Sequence, residues 1–407
     1  TATVGSANVT LTGAVGGSTP LGAILLSSSG QMTFGSSVAA TSLTTNTNGV
    51  VRLGGNVATT GAQTYDDAIV LTNHVVLSGT DITLTRTINS DGTVRALTVT
   101  GSGVTTFGGA IGAGVAGDAL ASLTVNGAGT TLLNAGAVTT VGAQSFGNAV
   151  TLGVNTVLTT TRNTGAAVTF GATLNSSDAL TRLSSPAPAT LSITTNASQG
   201  VSFNGVVGGA SYAGVSGAQT TTGALGGVTI SAGLTSFEAA FAAASVVTSG
   251  TSIVLDSNIT TTGIQTYNGD VFVRRDTVLT GTDIALNQKV DSDSGSARAL
   301  TVTGSGTTTF GGAVGAFRAL ASLTVSGNGS TTLLNGGSVK TTGAQSFGNA
   351  LTLGADTALT ATNADGAVSF DKVVDSATSS AARGLTVTAG SGGVTFSEAL
   401  GGTNSLA

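Results

Sequence analysis

The chain has no cysteine and no tryptophan, one methionine (Met32), one histidine (His74) and three prolines (Pro20, Pro186, Pro188) in 407 residues. Without cysteine there can be no disulfide staples, thiolate metal sites or cysteine nucleophile. Charged residues make up 8% and aromatics 4%, which is far from the composition of an ordinary globular domain. The formal net charge is -5 and the only lysines are Lys289, Lys340 and Lys372, so nucleic acid is not expected as a partner. No stretch approaches the roughly 18 uninterrupted apolar residues of a membrane helix. The nearest, FEAAFAAASVV from Phe237 to Val247, is short and carries Glu238, so membrane insertion of this segment is not expected. The sequence opens at Thr1 with no basic and apolar leader in it, and any export signal is expected to have been removed or to lie outside this stretch.

What the chain does have is glycine, 62 residues of it, and a 40% hydrophobic content drawn mostly from Val, Leu, Ala and Ile. That is too apolar and too β-branched for disorder. It is also repetitive. GAQTYDDAIVL at Gly61 returns as GAQSFGNAVTL at Gly142, GIQTYNGDVFV at Gly263 and GAQSFGNALTL at Gly343, so alternate copies are separated by half the chain. RALTVTGSGVTTFGGAIG from Arg95 likewise returns as RALTVTGSGTTTFGGAVG from Arg298. A long unit therefore occurs twice, at 1–202 and 203–407. Within it LTV recurs at Leu97 and Leu123, then at Leu300 and Leu323, so a shorter step is nested in the long one. Runs such as Ala-Leu-Thr-Val-Thr alternate with a period of two, and turn residues follow every few positions.

A segment of about 25 residues cannot close a sandwich, but it suits one coil of a solenoid whose strands pair with the coils above and below. The expected fold is all-β, a parallel β-solenoid (β-helix) of about 16–20 coils with little or no helix. Low charge fits this fold, because like charges stacked every ~4.8 Å repel, whereas Thr and Asn stack with hydrogen bonds. In the recurring line the aromatic (Tyr65, Phe146, Tyr267, Phe347) stands two positions after the glutamine (Gln63, Gln144, Gln265, Gln345), so both point to one side of a strand. The expected roles are a core plug at equivalent corners of four coils and a side-chain cap on corner backbone groups.

Candidates for chemistry are sparse. His74 corresponds to Asp276 in the second unit and reads as a turn residue, and no nucleophile elbow surrounds a serine. The only glutamates are Glu238 and Glu398, too few for paired-carboxylate glycosidase chemistry on this fold. Asp291 and Asp293 in KVDSDSGSAR could share a calcium ion, but no distal bidentate glutamate follows, and a solvated hairpin is the expected reading. No catalytic, cofactor-binding or metal-binding residues are assigned and no cofactor is expected.

TTVGAQSFGNAVTLGVNTVLT (Thr139 to Thr159), ALTVTGSGVTTFGGAIG (Ala96 to Gly112) and LASLTVNGAGTTLLNAGAV (Leu120 to Val138) resemble the β-strand repeats of very long bacterial surface proteins. These are filamentous-haemagglutinin-like and autotransporter-type adhesins, and the likeness runs over essentially the whole chain. The resemblance implies export to the cell surface, a right-handed β-solenoid, and a non-catalytic role as stalk, filament, adhesin or biofilm matrix. No catalytic residue of that class maps onto this chain. FSEALGGTNSLA from Phe396 matches FGGAVGAFRALA from Phe310, where a strand follows, so pairing end to end with copies of itself or a place in a longer array is expected. Host or surface glycans are a second expected class of partner. A carbohydrate-binding or carbohydrate-cleaving β-helix, and an ice-templating or surface-templating solenoid, are the alternatives. Exposed aromatic platforms would favour the first and one flat Thr-x-Thr face the second.

Overall fold

Alternation with a period of two puts Val, Leu, Ile and Phe on one side of each short strand and Thr, Ser and Asn on the other. The strands bury the first set: Ala96–Gly101, Thr130–Leu133 and Ala350–Leu353 each bury every second position. The structure is a computed structural model that describes residues 1–46, 49–114, 117–165, 167–177, 187–209, 223–293, 295–327 and 331–407. Among these residues every regular element is a β-strand, all of them short. Strand pairs with given register are parallel, and an isolated bridge between Thr378 and Ala381 is antiparallel. The parallel coils number about 17. Contacts divide the chain into two compact units, Thr1–Gly226 and Gly227–Ala407.

In the first unit one ladder aligns Leu43, Gln63, Ile82, Thr105, Thr131, Val150 and Leu174 in register. Successive members are one coil apart, roughly 20 to 25 residues, and this is the origin of the local LTV spacing. A second ladder aligns Val75, Leu97, Leu123, Gln144, Val168 and Val201. A third runs through Val9, Met32, Val51, Ile69 and Ile88. The second unit repeats the scheme, with Gln265, Ile284, Thr308, Thr332, Leu351 and Val374 in one column. Thr277, Leu300, Leu323, Gln345, Val368 and Val394 form another.

Because residues in register sit one strand spacing apart, identical rings in one column stack. Phe146, Phe170 and Phe203 lie at centroid distances of 5.2 and 5.5 Å in the first unit. Phe347, Phe370 and Phe396 lie at 5.5 and 4.6 Å in the second. Each fully buried phenylalanine contributes about 1.5–3 kcal/mol by leaving water, and stacking adds about 0.5–1.5 kcal/mol.

The four motif aromatics are fully buried, as expected, but they do not share one corner. Each lies in a short strand that begins at the glutamine, and successive copies stand on different ladders. Tyr65 is in register with Thr45 and Leu84, whereas Phe146 is in register with Val125 and Phe170. Tyr267 and Phe347 differ in the same way, pairing with Leu286 and with Phe370. The reason is coil length. The fourth step up the first column from Gln63 reaches Val150, so Gln144, earlier in the chain, falls one face short of four turns.

Candidate functional site: the recurring glutamine corner

Each copy of the motif is a small polar cage built on the sequence Thr-x-Gly-x-Gln-(Thr/Ser)-(Tyr/Phe), as at Thr59 to Tyr65. The chain leaves one strand at the threonine, turns through the glycine and enters the next strand at the glutamine, for example from Val57–Thr59 to Gln63–Tyr65. All four glutamines are no more than 1% exposed, so their amides must find partners inside the protein. Gln63 Nε2 donates to Ser78 O at 2.8 Å and Val57 O at 3.2 Å, and lies 3.3 Å from Thr59 Oγ1. Thr59 Oγ1 in turn donates to Gly61 O at 2.7 Å. One carbonyl precedes the glutamine within its own turn and the other belongs to the coil that follows, so the side chain ties the two together.

The other copies repeat this closely. Gln144 Nε2 reaches Thr159 O (3.0 Å), Val138 O (3.1 Å) and Thr140 Oγ1 (3.3 Å). Gln265 Nε2 reaches Thr280 O (2.8 Å), Ile259 O (3.2 Å) and Thr261 Oγ1 (3.2 Å). Gln345 Nε2 reaches Thr360 O (3.0 Å), Thr341 Oγ1 (3.2 Å) and Val339 O (3.3 Å). The cap expected from the sequence is therefore present in all four copies. The threonine of the cage was not expected, although it stands at a fixed spacing before every glutamine.

The glutamine oxygen separates two versions of the cage. Tyr65 and Tyr267 donate their hydroxyls to Gln63 Oε1 (3.0 Å) and Gln265 Oε1 (2.8 Å). Burial pushes both phenols well above their ordinary pKa, so they remain donors. Where the aromatic is Phe146 or Phe347, Gln144 Oε1 and Gln345 Oε1 are buried with no hydrogen-bond partner. The following coil differs as well. Gly79 and Gly281 pack directly on the tyrosine cages: a Cβ there would lie 2.7 Å from Thr59 Oγ1 or Thr261 Oγ1 and 2.8 Å from Gly61 O or Gly263 O. In the phenylalanine cages the equivalent positions are Thr160 and Ala361.

A second polar corner was not anticipated from the sequence. Ser90, Ser176, Ser292 and Ser376, each ending a (Ile/Leu/Val)-(Asn/Asp)-Ser strand, are buried. They accept the N–H groups of Arg95 (3.0 Å), Ala189 (2.7 Å), Arg298 (3.0 Å) and Arg383 (2.8 Å). The available signal is the recurring serine itself, but its neighbours vary more than those of the glutamine.

The remaining candidates are also occupied with backbone. Exposed His74 accepts Ala96 N–H through Nδ1 at 2.9 Å, as Asp276 Oδ1 accepts Ala299 N–H at 2.9 Å. It bridges coils. Asp291 is not on a solvated hairpin: it is 4% exposed within Val290–Ser292, and its Oδ1 accepts both Phe317 N–H and Arg318 N–H at 3.0 Å. Its neighbour Asp293 turns instead to Arg274, with Nε at 2.9 Å from Oδ2. The two carboxylates are thus directed to different partners, and no cluster of three or more His, Cys, Asp or Glu with metal-holding geometry occurs among the described residues.

These features define a parallel β-solenoid repeat protein whose recurring polar residues close the coils. Comparison with known protein families, curated proteins and solved structures finds no match to this chain.

Proposed function

We propose that this chain is a non-catalytic structural repeat protein of the bacterial cell surface, an exported β-solenoid of the filamentous-haemagglutinin-like and autotransporter-type class that serves as stalk, filament or matrix layer. The observation that supports this reading is the direction of its recurring residues. The most faithfully repeated polar side chains, the glutamine with its threonine, face inward and are bonded to main chain. Repetition here serves coil closure. A protein repeated for catalysis or for sugar binding would instead present its repeated polar or aromatic groups outward, and the four motif aromatics are buried.

The partner we propose is more of the same repeat, in a longer array or in another copy, because each coil is held by parallel backbone pairing with the coils beside it. Glycans of a host or surface are the second class of partner. Electron microscopy of the purified protein over a range of concentrations tests the reading: elongated particles of coil-like cross-section that join end to end are expected, and compact single-size globules at every concentration refute it.

A further inference from the structure

One corner of the second unit departs from its counterpart in the first. Backbone hydrogen bonds set the correspondence. Gly54 N and Asp256 N donate to Phe34 O and Phe237 O, Thr72 N and Arg274 N to Leu53 O and Leu255 O, and Asp91 N and Asp293 N to Leu71 O and Val273 O. Ser90 N and Ser292 N donate to Asp118 O and Arg318 O. Where the first unit has Gly54, Thr72, Asn73 and Asp118, the second therefore has Asp256, Arg274, Arg275 and Arg318. Four of the 13 basic side chains of the protein, counting Arg298, gather on this corner.

The substitutions change which groups are paired. In the first unit Arg95 Nε holds Asp91 Oδ1 at 3.3 Å. In the second, Arg274 takes the matching Asp293, and Arg298, which stands where Arg95 does, has no ion-pair partner among the described residues. Arg275 Nε is 2.7 Å from Asp256 Oδ1 but out of line for a hydrogen bond, and its side chain is 73% exposed. Asp256, Arg274, Arg275 and Arg298 line a cleft of about 470 Å³. The acids around it are engaged: Asp291 by two backbone N–H groups, Asp276 by Ala299 N–H, and Asp256 and Asp293 by Arg274 and Arg275. Glu238 accepts Ser236 Oγ–H. Free donor capacity in the cleft thus belongs to Arg275 and Arg298. On the neighbouring coil Phe317 is 81% exposed, its backbone held by Asp291 and its ring 5.7 Å from Arg318 Cζ.

We propose that this cleft binds the carboxylate of an acidic saccharide, with the guanidinium groups of Arg275 and Arg298 on the carboxylate and the Phe317 ring against the apolar face of the sugar. Guanidinium forks match the geometry of a planar oxyanion. The neighbouring acids offset the charge of the four arginines, so recognition is by hydrogen-bond geometry rather than by a net positive field, and the binding is modest. An exposed aromatic on the coil next to arginines that keep donors to spare is the composition of a recognition surface rather than of a solvated face. The saccharide source rests on the surface-facing role proposed above, whereas the oxyanion geometry does not.

The test is titration of the whole protein with trigalacturonate at low ionic strength, followed by calorimetry. Saturable binding is expected, weakened at least tenfold by Arg298→Gln and by Arg275→Gln and unchanged by Arg95→Gln. The fully methyl-esterified trisaccharide should not bind, and inorganic sulfate should compete through the same two arginines. Phe317→Ala should weaken trigalacturonate and leave sulfate unaffected. Absence of saturable binding, equal binding of the ester, or indifference to both arginine changes overturns the site, and tri-glutamate binding as tightly as trigalacturonate overturns the saccharide assignment. Because Arg298 serves the coil only through its backbone, circular dichroism of Arg298→Gln should match the parent. Elongated particles that bind no oxyanion would refute the cleft and leave the structural role standing.

Discussion

Replacing Gln265 separates the two things that its amide does. Gln265→Leu keeps the volume and removes the donor, so Ile259 O, Thr280 O and Thr261 Oγ1 lose their side-chain partner and Tyr267 OH loses its acceptor. At about 1 kcal/mol for each of the three amide contacts, plus about 1–3 kcal/mol for a buried hydroxyl left unsatisfied, offset by about 1 kcal/mol from the added apolar burial, the net loss is about 3–5 kcal/mol. Gln265→Glu puts an acceptor against acceptors. Burial and the facing carbonyls raise the folded-state pKa of this carboxyl above its unfolded value, so the folded form binds more protons than the unfolded form. Stability of the variant is then best at acid pH and falls as pH rises through the unfolded pKa of about 4.3 and onward to the folded value. The assay is urea unfolding from acid to mildly alkaline pH, with amide hydrogen exchange over Leu255 to Leu286 to localise the loss. Parent-like stability and exchange in Gln265→Leu, or a Glu variant that grows more stable with rising pH, would refute the cage as a structural element.

The two cage versions should respond oppositely to exchange of their aromatics: Tyr267→Phe orphans Gln265 Oε1 and should cost about 1–2 kcal/mol, while Phe146→Tyr supplies the donor that Gln144 Oε1 lacks and should gain up to about 1 kcal/mol in the same unfolding assay. Gly281→Ala drives a Cβ to 2.7 Å from Thr261 Oγ1 and 2.8 Å from Gly263 O, so a loss of about 1–3 kcal/mol is expected. Ala361→Gly at the equivalent place in a phenylalanine cage should lose only the entropy cost of glycine, about 0.5–1 kcal/mol, and a harmless Gly281→Ala counts against the close approach. His74→Asp should be tolerated within about 0.5 kcal/mol because Asp276 makes the same bond, whereas His74→Ala should lose about 1 kcal/mol and speed exchange of the Ala96 amide.

Most of the fold was legible because its signals are local. A period of two gives strands, glycine and asparagine give turns, and a short nested repeat leaves a solenoid as the way to bury one face of each strand. The inward glutamine was legible for the same reason, since it shares a strand parity with a buried aromatic. Two features were not. The shift of successive motifs to different ladders depends on coils of unequal length adding up along the chain, and the separation of Gln63 from Gln144 in the sequence does not show on which face the second one lands. The arginine corner is assembled from Asp256, Arg274, Arg298 and Arg318, which belong to successive coils and carry no common motif. KVDSDSGSAR taken alone reads as a solvated acidic pair, because the backbone donors of Phe317 and Arg318 that occupy Asp291 come from the coil above.

The contrast between cages and corners bears on where such a chain can change. A cage residue faces several partners in two coils, so a substitution there breaks several bonds at once and is felt by neighbours on both sides. An outer corner residue such as Thr72 or Arg274 keeps the same backbone N–H bond to the preceding coil, while its side chain takes different partners in the two units: Thr72 Oγ1 donates to Leu53 O at 3.1 Å, whereas Arg274 pairs with Asp293. The two halves differ accordingly. Gln63 and Gln265 keep equivalent partners, with their two carbonyls at 2.8 and 3.2 Å in both units, while Thr72, Asn73 and Asp118 give way to Arg274, Arg275 and Arg318. Stacking then completes a site, since neighbouring coils place their corner residues side by side at a spacing of roughly 5 Å without any new backbone geometry. A solenoid of this kind can therefore acquire binding chemistry one corner at a time while its interior stays the same.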